Sequence, residues 1–475
     1  MTGRARIAIA LGVTLRICAA AAATDVELEA AGPIGLAHVG MYYGLVNPAD
    51  GTWYTATVYD WWGDPHDSHT WLAIADTGAS ASILGKTTRD AYDAQDAIPM
   101  QPYPDVKFSD VGFGGTEDFA VTGSVRVMIA DFKTANPDPE DLSVYTACGP
   151  VGGPQPPSTH MAASLDQLGG ADPDTDIIGM GIFDGRLLQV DPHYLEFGRI
   201  GLVMGGSLTR PAPAPSDPRA VYVPATMQGF FPDPQPVDVG DHAMVAMSIR
   251  RTAGDDYATR TAIFDTGSPV NFVSESFAAA AGIDLGTSPD LTVTVGGVGG
   301  GGTVRPGWYV ETLALPLAPP RGADRLLIAN TAVFAIPDDE MPGGLDAILG
   351  NGVFSPSSSL VDTTVVEWFV DTREAGAARL IVVMPEPATA RGDANLDGVV
   401  NVLDLARLAN HFGETSGVEW TDGDFNEDGS VDVLDLAAVA NNFGAGSGGD
   451  GEVPEPATAA LLALGACLAL VRGRR

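Results

Sequence analysis

Through residues 24–383, apolar residues come in short runs, each ended within a few positions by glycine, proline or small polar residues. Trp71-Leu72-Ala73-Ile74-Ala75 and Thr261-Ala262-Ile263-Phe264 are two such runs. Both are too short for a stable helix, so the pattern predicts strands joined by turns. Beyond residue 392 the period changes. Leu403, Leu405, Leu408 and Phe412 predict a helix with one buried face. Two longer apolar stretches stand at the ends, one before Thr24 and one from Ala457 to Val471.

Composition sharpens this picture. A chain of 475 residues with 58 Gly and 35 Pro predicts two or three compact units, built mainly of short strands and turns. The formal net charge of -36 excludes nucleic acid as a partner, because phosphate binding needs clustered Lys and Arg. Cys18 and Cys467 fall in the end segments and leave Cys148 alone in the body, which reads as a small buried hydrophobe and allows no internal disulfide framework. His66 and His69 read as exposed loop histidines rather than a metal site.

From Gly392 to Gly444 the chain repeats at a spacing of 31 residues, GDANLDGVVNVLDLARLANHFG against GDFNEDGSVDVLDLAAVANNFG. Oxygen-bearing side chains recur at loop positions 1, 3, 5, 9 and 12, with glycine at position 6, the pattern that lets hard oxygen ligands converge on calcium. The ligand sets are Asp393, Asn395, Asp397, Asn401 and Asp404, then Asp424, Asn426, Asp428, Asp432 and Asp435, with Val399 and Ser430 giving backbone carbonyls. The duplicated loop and helix resembles the dockerin domain, which implies calcium and a cohesin-like partner. Val402-Leu403 and Val433-Leu434 stand where the cellulosomal type has small hydroxyl residues.

Asp76-Thr77-Gly78-Ala79-Ser80 and Asp265-Thr266-Gly267-Ser268 each follow a strand-like run. One such triplet is an ordinary turn. Here each is followed, 80 to 100 residues on, by an acidic residue, apolar residues and glycine: Asp176-Ile177-Ile178-Gly179 and Asp346-Ala347-Ile348-Leu349-Gly350. Between these elements lie Gly112-Phe113-Gly114-Gly115 and Gly296-Gly297-Val298-Gly299-Gly300, which read as hairpin tips.

This order resembles the pepsin-like and retropepsin-like aspartic peptidases over roughly residues 35 to 383. The resemblance implies an all-β, bilobal fold. It implies catalysis by Asp76 and Asp265 on a polypeptide substrate without a cofactor, with Thr77, Gly78, Thr266, Gly267 and Ser268 in support. Phe113, Gly114, Gly115, Val298 and Gly299 become the flap candidates. Ser268 is expected to donate a hydrogen bond to Asp265, with no counterpart at Ala79. No Lys or Arg occurs between Arg16 and Lys86, so no basic prosegment is expected to fill the cleft.

Arg4 and Arg6, the apolar run and the alanines before Thr24 have the order of a secretory signal. At the other end, Pro454-Glu455-Pro456, the apolar stretch and Arg472, Arg474 and Arg475 resemble the PEP-CTERM sorting signal, which implies an exosortase and transient membrane anchoring. The expected organisation is signal 1–23, N-lobe 24–211, C-lobe 212–383, linker 384–391, dockerin-like α-helical module 392–444, linker 445–452 and sorting segment 453–475. An exported aspartic endopeptidase at the cell surface is the function this implies. The alternatives are a non-catalytic scaffold protein and a dockerin-bearing carbohydrate-active enzyme. The second would need more aromatic platforms than a 7% aromatic content supplies.

Overall fold

The computed structural model describes residues 25–443 apart from 31, 33, 36, 60–64, 97, 113–114, 137, 151–156, 166–174, 199–200, 215–216, 218, 233, 298–299, 319–324, 356–364, 375, 385–391, 395–399, 417, 419 and 426–428. The signal and sorting segments, with the apolar stretch 457–471, lie outside the described residues, as do linker 445–452 and most of linker 384–391. Among the described residues no helix is long and apolar enough to cross a membrane. The chain forms two compact units, Met1–Ala212 with Val221–Val382, and Pro213–Ala220 with Val383–Arg475.

The first unit is mostly β, as the short apolar runs predict, with short helices of which Lys86–Asp96 is the longest among the described residues, and Pro213–Ala220 and Val383 of the expected C-lobe fall in the second unit. Its two halves repeat one arrangement. Strand Thr70–Ala75 lies between the parallel strand Asp176–Ile178 and the antiparallel strand His38–Val46. Strand Ala258–Asp265 lies in the same way between the parallel strand Ala347–Gly350 and the antiparallel strand His242–Arg250. Strand Thr70–Ala75 is largely buried, whereas strand Ala258–Asp265 is buried from Ala262 to Phe264 and exposes Thr259 and Thr261 nearer its start. A hairpin follows in each half, Phe108–Gly112 with Gly115–Val121 and Leu291–Gly297 with Gly300–Val310.

Aromatic packing fixes the base of the second half. Phe264 is fully buried, with its ring edge-on to Trp368 at 5.6 Å and tilted against Phe354 at 6.3 Å. Cys148 ends strand Thr146–Cys148 and is buried, and burial pushes its thiol pKa up. The stretch containing His66 is a strand rather than a loop, and His69 faces Glu140, with Nδ1 3.0 Å from Oε2.

The second unit is helical, with helices Val402–His411 and Val433–Asn442 over a core that includes Val400, Leu408, Phe425, Val431 and Val439. One expectation fails here. Leu408 is buried and Leu405 and Phe412 pack against that core, but Leu403 is 59% exposed. At 100° per residue Leu405, Leu408 and Phe412 share a face, whereas Leu403 points about 200° away from Leu405.

The ring cluster predicts that Phe264→Ala costs about 3–5 kcal/mol of stability, read from the denaturant midpoint.

Candidate active site

Each Asp-Thr-Gly segment turns directly off the end of its central strand, and backbone geometry sets its carboxyl. Asp76 Oδ1 accepts from Gly78 N at 2.7 Å and Ala79 N at 3.1 Å. Asp265 Oδ1 accepts from Gly267 N at 2.8 Å and Ser268 N at 3.1 Å. The threonines tie the two loops together. Thr77 Oγ1 donates to Phe264 O at 2.8 Å and accepts from Thr266 N at 3.1 Å. Thr266 Oγ1 donates to Ala75 O and accepts from Thr77 N at 2.9 Å.

Glycine follows threonine for a steric reason. A Cβ at Gly78 would lie 2.4 Å from Cγ of Asp265, and one at Gly267 would lie 2.5 Å from Cγ of Asp76. Each loop therefore carries the space that the other loop's carboxyl fills, which brings the two carboxyls side by side. The later glycines serve the same fit from beneath. A Cβ at Gly179 would meet Ala81 O at 2.3 Å, and one at Gly350 would meet Val270 O at 2.2 Å.

The expected asymmetry between the loops is absent. Ser268 Oγ donates to Val270 O at 2.8 Å, not to Asp265, so the serine closes its own turn and each aspartate keeps a matching pair of backbone donors. Burial, followed by the charge and hydrogen bond of Asp76, holds the Asp265 carboxyl well above the usual carboxylate range.

Two histidines flank the dyad, and the sequence reading missed both. His38 and His242 open the strands that run antiparallel to the two Asp-bearing strands, so they occupy matching places in the two halves. His242 is buried. Its Nδ1 lies 2.9 Å from Thr77 O and its Nε2 2.7 Å from Ser80 Oγ. A carbonyl can only accept, so Nδ1 carries the proton and Nε2 accepts from the serine. His38 faces Asp76 and the backbone of Gly267. Burial lowers both histidine pKa values, against the raising effect of nearby Asp76.

A cavity of about 430 Å³ opens over the dyad. His38, Asp110, Val111 and Gly112 line one part, and Val293, Thr294, Val295 and Gly296 line another, so both hairpins border it. Of the flap candidates, Gly115 pairs with Gly112 and adopts a φ of 110°, whereas Phe113, Gly114, Val298 and Gly299 lie outside the described residues.

In the helical unit Asn395, Asp397, Val399, Asn426 and Asp428 lie outside the described residues. Asp393, Asp404, Asp424 and Asp435 are buried. Asn401 and Asp432 cap the two helices, accepting from Leu403 N at 2.8 Å and Leu434 N at 2.7 Å, while Asp404 and Asp435 complete the capping boxes. Ser430 precedes buried Val431. Among the described residues no three acidic, His or Cys side chains form a metal-sized cluster. Burying a carboxylate from each end of both loops nevertheless fits a cation, which would offset a desolvation cost of several kcal/mol per ion.

Residues 391–444 match the family model of the dockerin type I domain. No curated protein matches the chain. Among solved structures the chain is similar to an aspartic proteinase from Irpex lacteus, with 12% identity and a TM-score of 0.36, covering 74% of this chain and 97% of that one.

The depressed histidines set a pH prediction. Their neutral forms are fully matched to the fold above the unfolded value of 6.5, and stability is lost as pH falls below it, because the unfolded chain takes up protons first. His242→Gln should flatten that loss, by up to about 1.4 kcal/mol per pH unit, in denaturation curves measured through this window. Identical slopes in the two proteins would contradict it.

Proposed function

We propose that the first unit is an aspartic endopeptidase in which Asp76 and Asp265 share one proton and activate water. The ionised carboxylate takes a proton from the water while the protonated one polarises the peptide carbonyl, giving a tetrahedral intermediate with no covalent enzyme adduct. The protonated carboxyl is assigned to Asp265, whose pKa burial raises. Thr77 and Thr266 keep the loops in register, Gly78 and Gly267 leave room for the carboxyls, and the hairpins border the cavity that would take an extended chain.

The observation that carries this reading is the close approach of the two carboxyls, each seated in the space that the other loop's glycine leaves. Glycosidase carboxyls stand about 5 Å or more apart, with a sugar carbon or a water between them, so this contact disfavours carbohydrate hydrolysis. The intact dyad, aligned by four backbone donors, likewise disfavours a purely scaffolding role.

The helical unit is read as a calcium-dependent docking module with a cohesin-like partner. Val402 with Leu403 and Val433 with Leu434, each residue between 59% and 64% exposed, give it two matching apolar pairs at the helix starts. The end segments supply the export, exosortase processing and surface sorting of this reading.

Asp76→Asn or Asp265→Asn should lower kcat/KM on a peptide library by at least about a thousand-fold with thermal unfolding retained. Substantial peptidase activity in either variant would defeat the reading. Chelating calcium from the full chain should open residues 392–443 to limited proteolysis and leave the first unit resistant, since the buried carboxylates would lose their counter-ion. An unchanged digestion pattern would refute the calcium assignment.

A further inference from the structure

The cavity over the dyad holds a third carboxyl that the proposed reaction does not use. Asp110 lies two residues beyond the fully buried Phe108 on strand Phe108–Gly112, so both side chains take the same face of the hairpin, while Ser109 and Val111 alternate with them and are exposed. Asp110 Oδ1 accepts from Val111 N at 2.8 Å, and Oδ2 takes no hydrogen bond among the described residues. Directly opposite, in register, stands Glu117. Like charges so placed destabilise an antiparallel pair.

Glu117 Oε1 accepts from Ser164 Oγ at 3.4 Å. Facing Asp110 are Asp76, Asp265 and His38 in the cavity and Glu117 across the hairpin. Lys107 engages Asp118, and Pro342–Gly344, against which the strand packs, carries no charge. Among the described residues no Lys or Arg lines the cavity, and much of its wall is apolar, including Ile263, Phe272 and Leu345.

We propose that Asp110 selects substrates carrying a Lys or Arg side chain in the segment that lies against this hairpin. The substrate's ammonium or guanidinium supplies the cation that the cavity lacks, and the charge-assisted hydrogen bond goes to the carboxylate oxygen left open. The proposal rests on the peptidase reading. It also makes selectivity depend on pH. Burial, joined by the charges of Asp76 and Glu117, raises the Asp110 pKa to about 6. The carboxyl is neutral in acid, where it makes no demand for a cation, and anionic as the pH passes that value.

The test uses two peptide sets, in which Lys or its uncharged isostere norleucine is moved along one cleavable sequence a position at a time. At one position the ratio of kcat/KM for Lys over norleucine should rise by about ten-fold or more between about pH 5 and pH 7. In Asp110→Asn, which keeps the side-chain shape and lies outside the dyad, the ratio should stay flat while the norleucine peptides are still cleaved. A flat ratio in the unmodified protein at every position, or the same rise in Asp110→Asn, would overturn the proposal. If no peptide is cleaved, the peptidase reading fails. Calorimetric binding of the same peptides then decides the cation site: a Lys preference that grows through this pH window and vanishes in Asp110→Asn supports it, and equal affinities overturn it.

Discussion

The structure depends on a reciprocal steric fit between two loops. Each glycine after an Asp-Thr pair leaves the volume that the opposite carboxyl occupies, at would-be separations of 2.4 and 2.5 Å from an added Cβ. Each half aligns its own aspartate by two backbone donors and leaves room for the other's. The threonine hydroxyls lock the fit with hydrogen bonds that run from each loop into the other half of the chain. The remaining architecture serves this contact. The parallel strands bring Gly179 and Gly350 against the loops from beneath, and buried rings such as Phe264 and Trp368 stiffen the base.

Electrostatics follow from that fit. Two carboxyls pressed together in a buried site cannot both ionise, so the fold holds a proton at Asp265 that water would remove. His242 ties the first loop to the second half through Thr77 and Ser80, and its burial keeps the imidazole neutral as the pH falls. The hairpin above adds Asp110, which ionises well above an ordinary aspartate. Three groups that line the cavity, His38, Asp110 and Asp265, are therefore shifted from their usual values by burial, and the cavity's charge changes with pH.

Much of this was legible in the sequence. The paired Asp-Thr-Gly triplets, the apolar-Gly elements that follow them and the 31-residue repeat are local patterns, and a local pattern survives in one dimension. The all-β unit and the helical module appear in the structure as the short runs and the change of period predict. What was hidden depends on register between distant strands. His38, His242 and Asp110 acquire their roles from strand pairing and from burial, and nothing in their own neighbourhoods marks them. The misplaced expectations have similar causes. Ser268 had a nearer acceptor in Val270 O, and Leu403 falls off the helical face that Leu405, Leu408 and Phe412 share.

The central claim is that Asp76 and Asp265 act as one titrating pair. Carbon-13 NMR of the full chain labelled at aspartate carboxyls, followed through a pH titration, tests it most directly, with Asp76→Asn and Asp265→Asn used to assign the signals. The account predicts that one carboxyl of the pair stays protonated well above the ordinary aspartate range of about 3.9 and that this elevation shrinks when Asp76 is replaced. Two carboxyls titrating independently near that value, each indifferent to replacement of the other, would contradict it.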